Sequence, residues 1–382
     1  MMTLEALRAE YPHAVDQIYL NHAATGVLSR RAVDAIDRYV RERHGLNIEN
    51  YYTFAPVIEQ TLTQIASLIG TDASRVEFVS NTSAGLSILA EGLPWREGDR
   101  VAVPGCEFPA NVYPFLNLKD KGVEVDFIPH NEGRITLEDI ERTLTERTRL
   151  LSISWVQFLS GFATDLKAVS ELCRRHNVLL SVDAIQGLGA LTLDVEGAGV
   201  DFMSSGGHKW LMGMQGLGFI YVSPRAQELI RPVAGWMHGP VDWERLSDYD
   251  LRFHDSARRY RLGTLNSVGI AALNATLALY LDADPAWCER RLLGTAALLA
   301  ERLDELGLEP YGRDRGQAPL SGIVTYRHPE ADGMARYLSE RRIAVSVRNG
   351  LLRFAPSYYH TDEEIAVVAE VVAEFLERRS GS

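Results

Sequence analysis

An acid and an amine follow two apolar runs in the middle of the chain. The run 178–182 ends on Asp183, and the run 200–203 leads through small residues to Lys209. Short apolar runs between glycine-rich turns are typical of buried strands, and the functional groups of an α/β sheet gather beyond the carboxyl ends of its strands. We therefore expect both side chains to lie at one edge of a sheet.

This pair suits a particular cofactor chemistry. A lysine amine can hold pyridoxal phosphate as a Schiff base, and an acid can keep the pyridinium nitrogen protonated so that the ring accepts electrons. Taken singly, Asp183 has an ordinary interpretation as a turn-capping residue, and Lys209 as a solvated loop lysine. The residues around them favour the cofactor.

The surrounding sequence resembles a known family. Asp183 begins a D-A-x-Q step that reaches Gln186, and Lys209 lies in an H-K-W-L-x-G step that starts at His208. This order is similar to that of the class V aminotransferase family, fold-type I pyridoxal-phosphate enzymes that include cysteine desulfurases, kynureninases and isopenicillin-N-epimerase-like proteins. The resemblance implies that Lys209 and Asp183 are catalytic. It also implies that Gln186 hydrogen-bonds the ring hydroxyl oxygen of the cofactor and that His208 lies near the phosphate.

The resemblance covers the chain from Tyr19 to Thr361 and implies the fold. We expect the α/β architecture of a fold-type I pyridoxal-phosphate transferase, with a mainly parallel seven-stranded sheet between helices and a smaller α+β carboxyl-terminal domain. Residues 1–20 are expected to contribute to the small domain and the edge of the active site. Residues 21–265 are expected to form the large domain, and residues 266–382 a linking helix and the small domain.

Composition limits the classes of function. The chain has 382 residues, of which 46% are hydrophobic, enough for a large core and two domains. A net charge of −12 argues against a nucleic-acid or anionic-membrane partner. The three cysteines lack the spacing of metal ligands or disulfide pairs, which suits a reducing cytoplasm. We expect a cytoplasmic enzyme with no metal, no signal peptide and no membrane span.

A phosphate site is predicted where a strand over 75–80 meets a helix over 84–93. The amides of a first helical turn lack intrahelical partners, and the helix dipole favours an anion there. The hydroxyls of Thr82 or Ser83 can add hydrogen bonds. Ordinary N-capping by Ser83 is an equally good interpretation of the turn alone. Resemblance to the family's "GTT" turn implies that Ser83 and the Ala84 amide bind the cofactor phosphate.

Further cofactor contacts are implied by the resemblance. Phe108 aligns with an aromatic position, often histidine, whose ring stacks on the cofactor. A phenylalanine there argues against proton relay from above the ring, and simple core packing is the alternative. Family members often carry a phosphate-binding serine three residues before the lysine; here that position is Gly206, and Ser205 is the expected substitute.

A loop at 261–266 resembles the family's "EAGTPN" loop, which reaches across a dimer interface. The match is partial, because Arg261 replaces the acid and Leu265 the proline. The resemblance implies a homodimer in which the Gly263-Thr264 loop reaches the neighbouring site and Thr264 contacts the partner's cofactor phosphate.

Three residues are candidates for substrate binding. Arg353 lies in a segment, 348–361, that resembles the family's "RxG…LRISPHFYNT" end, and a guanidinium fits a carboxylate in bidentate fashion. A surface salt bridge is the alternative for Arg353. Asn21 lies in a loop resembling the family's "YLDNAAT" loop near the active site. Gln157 follows a predicted strand over 150–154, in a segment, SWVQFLSGF, that resembles the kynureninase and epimerase-like branch.

The predicted reaction begins when a small, amino-acid-like substrate with a carboxylate displaces Lys209 and forms an external aldimine. The freed amine then takes the α-proton. Transamination, epimerisation and C–S β-elimination diverge after this step, and the sequence does not choose among them. Persulfide-forming desulfurase chemistry is disfavoured, because the family's nucleophilic cysteine is expected before the arginine and none lies between Gly307 and Arg353. We place an aminotransferase first, an epimerase or C–S β-lyase second, and a non-enzymatic scaffold last.

Overall fold

The computed structural model describes residues 2–380, with side chains through residue 378. The strands in chain order are β1 (Ile18–Tyr19), β2 (Val76–Val79), β3 (Arg100–Pro104), β4 (Glu124–Ile128), β5 (Thr148–Ser154), β6 (Leu179–Asp183), β7 (Phe202–Gly206), β8 (Gly218–Val222), β9 (Glu309–Pro310), β10 (Val324–Arg327), β11 (Ile343–Ala344), β12 (Ser346–Arg348) and β13 (Leu351–Phe354). The helices are α1 (Leu4–Arg8), α2 (Arg30–Arg41), α3 (Tyr51–Ile69), α4 (Thr82–Gly92), α5 (Tyr113–Leu116), α6 (Leu137–Thr143), α7 (Leu166–Arg175), α8 (Pro224–Leu229), α9 (Ser267–Asp282), α10 (Pro285–Glu305), α11 (Ala331–Glu340) and α12 (Asp362–Ser380).

A seven-stranded sheet in the order β2-β8-β7-β6-β5-β3-β4 forms the centre of the molecule. Only β8 runs against its neighbours, so the other six strands point the same way. Strands β6, β7 and β8 are buried along their whole length. In β8, Phe219 and Tyr221 join one core while Ile220 and Val222 join another on the opposite face. This alternation is expected of a sheet covered on both faces, and the predicted fold class is confirmed.

A smaller antiparallel sheet, β12-β13-β10-β9, packs with α10, α11 and α12 around a separate core. That core contains Leu303, Leu352 and Val372, and it includes Leu20 from the amino-terminal part of the chain. Strand β1 pairs in parallel with β11, so the amino-terminal segment lies against the carboxyl-terminal one. The predicted boundaries at 20 and 265 stay a prediction. Within residues 2–380, no helix is both long and apolar enough to cross a membrane.

The parallel strands bring their carboxyl ends to one edge of the large sheet. Strands β2, β3, β5, β6 and β7 all end there, and each is followed by a turn with polar or aromatic side chains. Ligand sites of open α/β sheets lie outside this edge. The residues predicted from separate stretches of sequence therefore face a common region.

Candidate active site

Asp183 and Lys209 follow neighbouring strands at this edge, as the sequence predicts. Asp183 is the last residue of β6 and only 2% exposed, and its Oδ1 accepts a hydrogen bond from the Ile185 amide at 3.0 Å. Burial raises the pKa of Asp183 to about 6, and the charge of Lys209 opposes that rise. A buried acid held this way is available to a cationic ring nitrogen.

Lys209 lies three residues after β7 in a turn that the amino-terminal loop covers. Burial lowers the pKa of Lys209 to about 8; Asp183 acts against this shift, and the cations of Arg353 and Arg348 add to it. The amide of Gly26 donates to the His208 carbonyl at 2.8 Å. A Cβ on Gly26 would lie 2.0 Å from the Lys209 carbonyl oxygen, so only glycine allows this close approach.

Gln186 connects the lysine turn to the amino-terminal loop. Its Nε2 donates to the Ala23 carbonyl at 3.0 Å, and its Oε1 accepts from Trp210 Nε1 at 2.9 Å. The amide is therefore held in one orientation, and a second Nε2 hydrogen is left for another acceptor. The predicted hydrogen bond to the cofactor's ring hydroxyl oxygen stays a prediction.

Helix α4 begins at the predicted phosphate site, but its cap differs from expectation. Asn81, rather than Ser83, is the N-cap, and its side chain accepts from the Ala84 amide at 2.9 Å. The alternative of capping by Ser83 is therefore wrong, because the asparagine two residues earlier already satisfies that turn. Ser83 is exposed, and the Ala84 amide that we predicted on the phosphate is engaged by Asn81. Their phosphate contacts stay predictions.

Thr82 and the end of β7 place the lysine turn beside this helix. The Ser204 hydroxyl donates to the Thr82 carbonyl at 2.9 Å and so fixes β7 to the first residue of α4. Thr82 is 5% exposed, and its hydroxyl oxygen has no hydrogen-bond partner among the described residues. Ser205 is buried, and its hydroxyl donates to the Gly206 carbonyl at 3.3 Å, while His208 is partly buried, with a pKa lowered by burial and by Lys209.

Phe158 contacts both Phe108 and Arg353. Lys209 Nζ lies 5.7 Å from the centroid of the Phe108 ring, which is 47% exposed. The Phe158 ring meets Phe108 edge-on at 5.4 Å between centroids, and the Phe158 carbonyl accepts from Arg353 Nη1 at 2.7 Å. The exposure of Phe108 contradicts simple core packing and leaves a face that a planar ring can cover.

Arg353 is a buried cation, 2% exposed, whose Nε donates to Ser346 Oγ at 3.3 Å. No ion pair with an acid is formed by this side chain within residues 2–380. Burial and the nearby Arg348 lower the pKa of Arg353 to about 10. The surface salt-bridge interpretation is therefore wrong, and a buried guanidinium without a carboxylate partner suits an anionic ligand.

Asn21 and Thr264 lie at the margins of the site. Asn21 forms a β-bridge with Ala355, two residues after Arg353, and the Asn21 Oδ1 is buried without a partner in the described part of the chain. Thr264 is exposed, and its predicted contact with a second subunit stays a prediction. Arg261, where the loop departs from the family pattern, is 6% exposed and pairs with Glu77 of β2 at 3.0 Å.

One buried acid in this region has no role in the sequence analysis. Glu107 is 8% exposed and accepts hydrogen bonds from Ser154 and from Gln157 Nε2. Burial raises the pKa of Glu107 to about 7, and the charge of Asp183 adds to the rise. Its position beside Phe108, just after a predicted strand, was the available signal. The predicted Gln157 is held by this carboxylate and accepts weakly from Cys106 Sγ at 3.5 Å.

These residues fit pyridoxal phosphate. The fit rests on a buried acid at a strand end, an amine of lowered pKa, an unpartnered Thr82 hydroxyl at the start of α4, and an exposed aromatic face. When the cofactor is bound, we expect Lys209 to hold it covalently and Asp183 to face its ring nitrogen. No group of three or more His, Cys, Asp or Glu side chains in the described residues could hold a metal ion.

The chain is similar to known proteins along nearly its whole length. The family model described as "Aminotransferase class-V" matches residues 18–368. A probable cysteine desulfurase of Methanothermobacter thermautotrophicus is 27% identical over 402 residues, covering 98% of each chain. The uncharacterized aminotransferase YcbU of Bacillus subtilis is 28% identical over 316 residues, covering 82% of this chain and 83% of the relative.

Solved structures share the fold. The cystine C–S lyase C-DES, in complex with its reaction product cysteine persulfide, superposes with a TM-score of 0.87 at 23% identity, covering 95% of this chain and 99% of its own. The apo cysteine desulfurase of Thermococcus onnurineus superposes with a TM-score of 0.88 at 22% identity, covering 99% of both. With the family match over nearly the whole length, the chain belongs to the class V aminotransferase family, and its cofactor is pyridoxal phosphate.

Proposed function

We propose that this protein is a pyridoxal-phosphate-dependent C–S β-lyase. It would cleave the bond between the β-carbon and sulfur of an amino acid by elimination, without a cysteine of its own as the sulfur acceptor. Relatives named cysteine desulfurases and a fold neighbour named a C–S lyase support cleavage at sulfur. The choice of elimination rests on the structure just before Arg353.

The observation that carries this choice is the short connection between β12 and β13. Asn349 and Gly350 form a two-residue turn, both with positive φ, 50° and 75°, and Arg348 pairs directly with Leu351 across it. Two-residue turns of this kind join hairpin strands tightly. The mobile loop and cysteine that a persulfide-forming desulfurase requires before the arginine have no counterpart in this hairpin.

The three cysteines do not replace that nucleophile. Cys173 and Cys288 are buried, and only Cys106 borders the candidate site. Burial and the adjacent Glu107 raise the pKa of the Cys106 thiol to about 12, so it is not a thiolate at neutral pH. Because the thiolate is the nucleophile in sulfur transfer, sulfur is expected to leave with the product.

The substrate would be held and deprotonated by residues already described. Arg353 would bind the α-carboxylate, and Lys209 Nζ, with a pKa of about 8, would take the α-proton. When bound, pyridoxal phosphate supplies an electron sink for the pair left on the α-carbon. Asp183 would hold the proton at the ring nitrogen. The proton on Nζ then passes to the sulfur, which leaves with the bonding pair.

The products expected from a three-carbon substrate, after addition of water, are pyruvate, ammonia and a thiol, hydrosulfide or persulfide. The test is a pyruvate and thiol assay of the cofactor-loaded protein with cysteine, cystine and S-alkylcysteines. Equal amounts of both products are expected, at unchanged rate in a Cys106→Ser variant. Loss of activity in that variant would show that the enzyme's own thiol accepts the sulfur.

Transamination is the second candidate, favoured by the relative named an aminotransferase. A transaminating enzyme mixed with an amino acid and no keto acid would lose its visible cofactor absorption permanently and release one keto acid per site. A lyase would regain the absorption while pyruvate accumulates. Return of the band with only the opposite enantiomer formed would indicate an epimerase.

We also infer a homodimer, in which the exposed Thr264 reaches the cofactor phosphate of the neighbouring subunit. Its exposure and the family resemblance of the loop support this. The molar mass from light scattering, together with cofactor affinity in Thr264→Val, tests it. A monomer that binds the cofactor normally would contradict it.

A further inference from the structure

We propose that Glu107 is a positioning residue. Its contacts fix the position of the Phe108 ring relative to the Arg353 guanidinium, so that the cofactor and the substrate carboxylate can bind at the same time. The inference deepens the proposed function, because it rests on Arg353 as the carboxylate site. It requires no particular fate for the substrate after binding.

The Glu107 carboxylate joins the turn after β3 to the end of β5. Its Oε1 accepts from the Ser154 amide at 2.7 Å and from Gln157 Nε2 at 2.8 Å, and its Oε2 accepts from the Ser154 hydroxyl. All of these groups are buried. Three donors on one carboxylate make a strong, charge-assisted connection between segments about 50 residues apart.

Phe108 lies between two such connections. Four residues after Glu107, Asn111 Oδ1 accepts from the Ser152 hydroxyl at 2.6 Å, so the segment is tied to β5 at both ends. The half-exposed Phe108 ring is carried between these ties. The position of the Phe108 ring at the sheet edge therefore depends on the Glu107 contact, which is closer in sequence to Phe108 than the Asn111 contact is.

The same carboxylate also holds the loop that fixes Arg353. The Gln157 amide donates to the Phe162 carbonyl and the Gln157 carbonyl accepts from the Gly161 amide, both at 2.9 Å, which closes the loop around Phe158. Phe158 presents its carbonyl to Arg353 and its ring to Phe108. Loss of the Glu107 hydrogen bonds would therefore displace both residues that Phe158 contacts, Phe108 and Arg353.

The experiment compares three variants of the cofactor-loaded protein. Glu107→Ala removes all three contacts. Glu107→Gln keeps them, because its oxygen can accept from the Ser154 amide and Gln157, and its NH₂ can donate to the Ser154 hydroxyl. Asp201→Asn is the matched control: this buried carboxylate accepts from the Leu180 amide at 2.9 Å and lies before β7, at the opposite edge of the sheet.

Three quantities are measured for each variant: the dissociation constant of pyridoxal phosphate from tryptophan fluorescence, that of an amino acid from the shift of the cofactor's visible band, and the thermal midpoint. In Glu107→Ala we expect the amino-acid constant to rise about tenfold and the cofactor constant to rise severalfold. Glu107→Gln is expected within about twofold of the parent in each, because its contacts persist. Asp201→Asn should lower the midpoint without changing either constant.

Two results would overturn the proposal. If Glu107→Ala matched Asp201→Asn in both constants, Glu107 would be structural only. If Glu107→Gln were as impaired as Glu107→Ala, its charge rather than its positioning would matter. Because amino-acid binding is read without turnover, a protein that releases no sulfur yet shows the expected pattern would contradict the lyase assignment and leave the positioning role standing.

Discussion

Asp183 and Lys209 are placed by the backbone of one sheet, whereas Arg353 is placed by contacts between two sheets. The acid and the amine follow β6 and β7, which pair in register and are buried throughout. Arg353 lies on β13 of the smaller sheet and reaches the larger one through the Phe158 carbonyl. The acid and the amine are thus placed by the main-chain hydrogen bonds of one sheet, and the arginine also by its side-chain contacts with the Phe158 carbonyl and Ser346.

Burial acts on all three side chains but with different consequences. It raises the pKa of Asp183 to about 6, lowers that of Lys209 to about 8 and lowers that of Arg353 to about 10. For the acid and the amine, these shifts bring both pKa values nearer to neutrality, where proton transfer is most useful. For the arginine, the charge persists at neutral pH, and its partners within residues 2–378 are the Ser346 hydroxyl and the Phe158 carbonyl rather than an acid.

The largest effect is expected at the amine. Lys209→Ala removes both the cofactor attachment and the base, and turnover should fall by about 10³-fold or more. The visible absorption of attached cofactor should vanish in the variant, while its thermal midpoint stays near that of the parent. An unchanged spectrum would remove Lys209 from its assigned role.

Arg353→Ala tests the other side of the comparison. We expect KM for amino acids to rise about 100-fold, because a charge-assisted bidentate contact is lost, while cofactor affinity is kept. Arg353→Lys, which keeps the charge but not the fork, should be intermediate. If cofactor and substrate affinity fell together in Arg353→Ala, the arginine would be structural.

Asp183→Asn should separate function from stability. The folded-state pKa of Asp183, about 6, lies above its ordinary value of 3.8, so folding favours the protonated acid. This contribution is complete below about pH 4 and is lost as the pH rises through 6. At pH 7, the free energy of unfolding of the cofactor-free variant should therefore exceed that of the parent by up to about 3 kcal/mol. At pH 4, the two free energies of unfolding should be equal. Denaturant melts at the two pH values measure this, and an equal gain at both would contradict the assigned shift.

The smallest effect is expected at Thr82. Replacing its unpartnered hydroxyl in Thr82→Val should weaken cofactor binding about fivefold and leave the cofactor-free protein at least as stable. Thr82→Ser, which keeps the hydroxyl, is the matched control. Equal cofactor affinity in the two variants would show that this hydroxyl does not face the phosphate.

Patterns within short stretches of sequence located individual elements, whereas the fold class was implied by the family resemblance. Apolar runs located β6 and β7, and the predicted strand over 75–80 and helix over 84–93 correspond to β2 and α4. The turn before the helix at Thr82 was also expected, but Ser83 was the only residue considered as its cap. The capping residue proved to be Asn81.

Contacts between distant segments were not predictable in the same way. Glu107 meets Gln157 across 50 residues, and Gln186 meets Ala23 across 163. Such pairs cannot be predicted from sequence periodicity, because loops have no repeating pattern of burial. The burial of Arg353, and with it the absence of an acidic partner within residues 2–380, likewise depends on how two sheets pack.

The most direct test of the lyase assignment is the fate of sulfur and carbon during turnover of cysteine. We expect pyruvate as the carbon product and no extra sulfur atom on any cysteine of the protein, read by intact-protein mass spectrometry of the working enzyme. Alanine as the product, together with a sulfur atom added to Cys106, Cys173 or Cys288, would contradict the account.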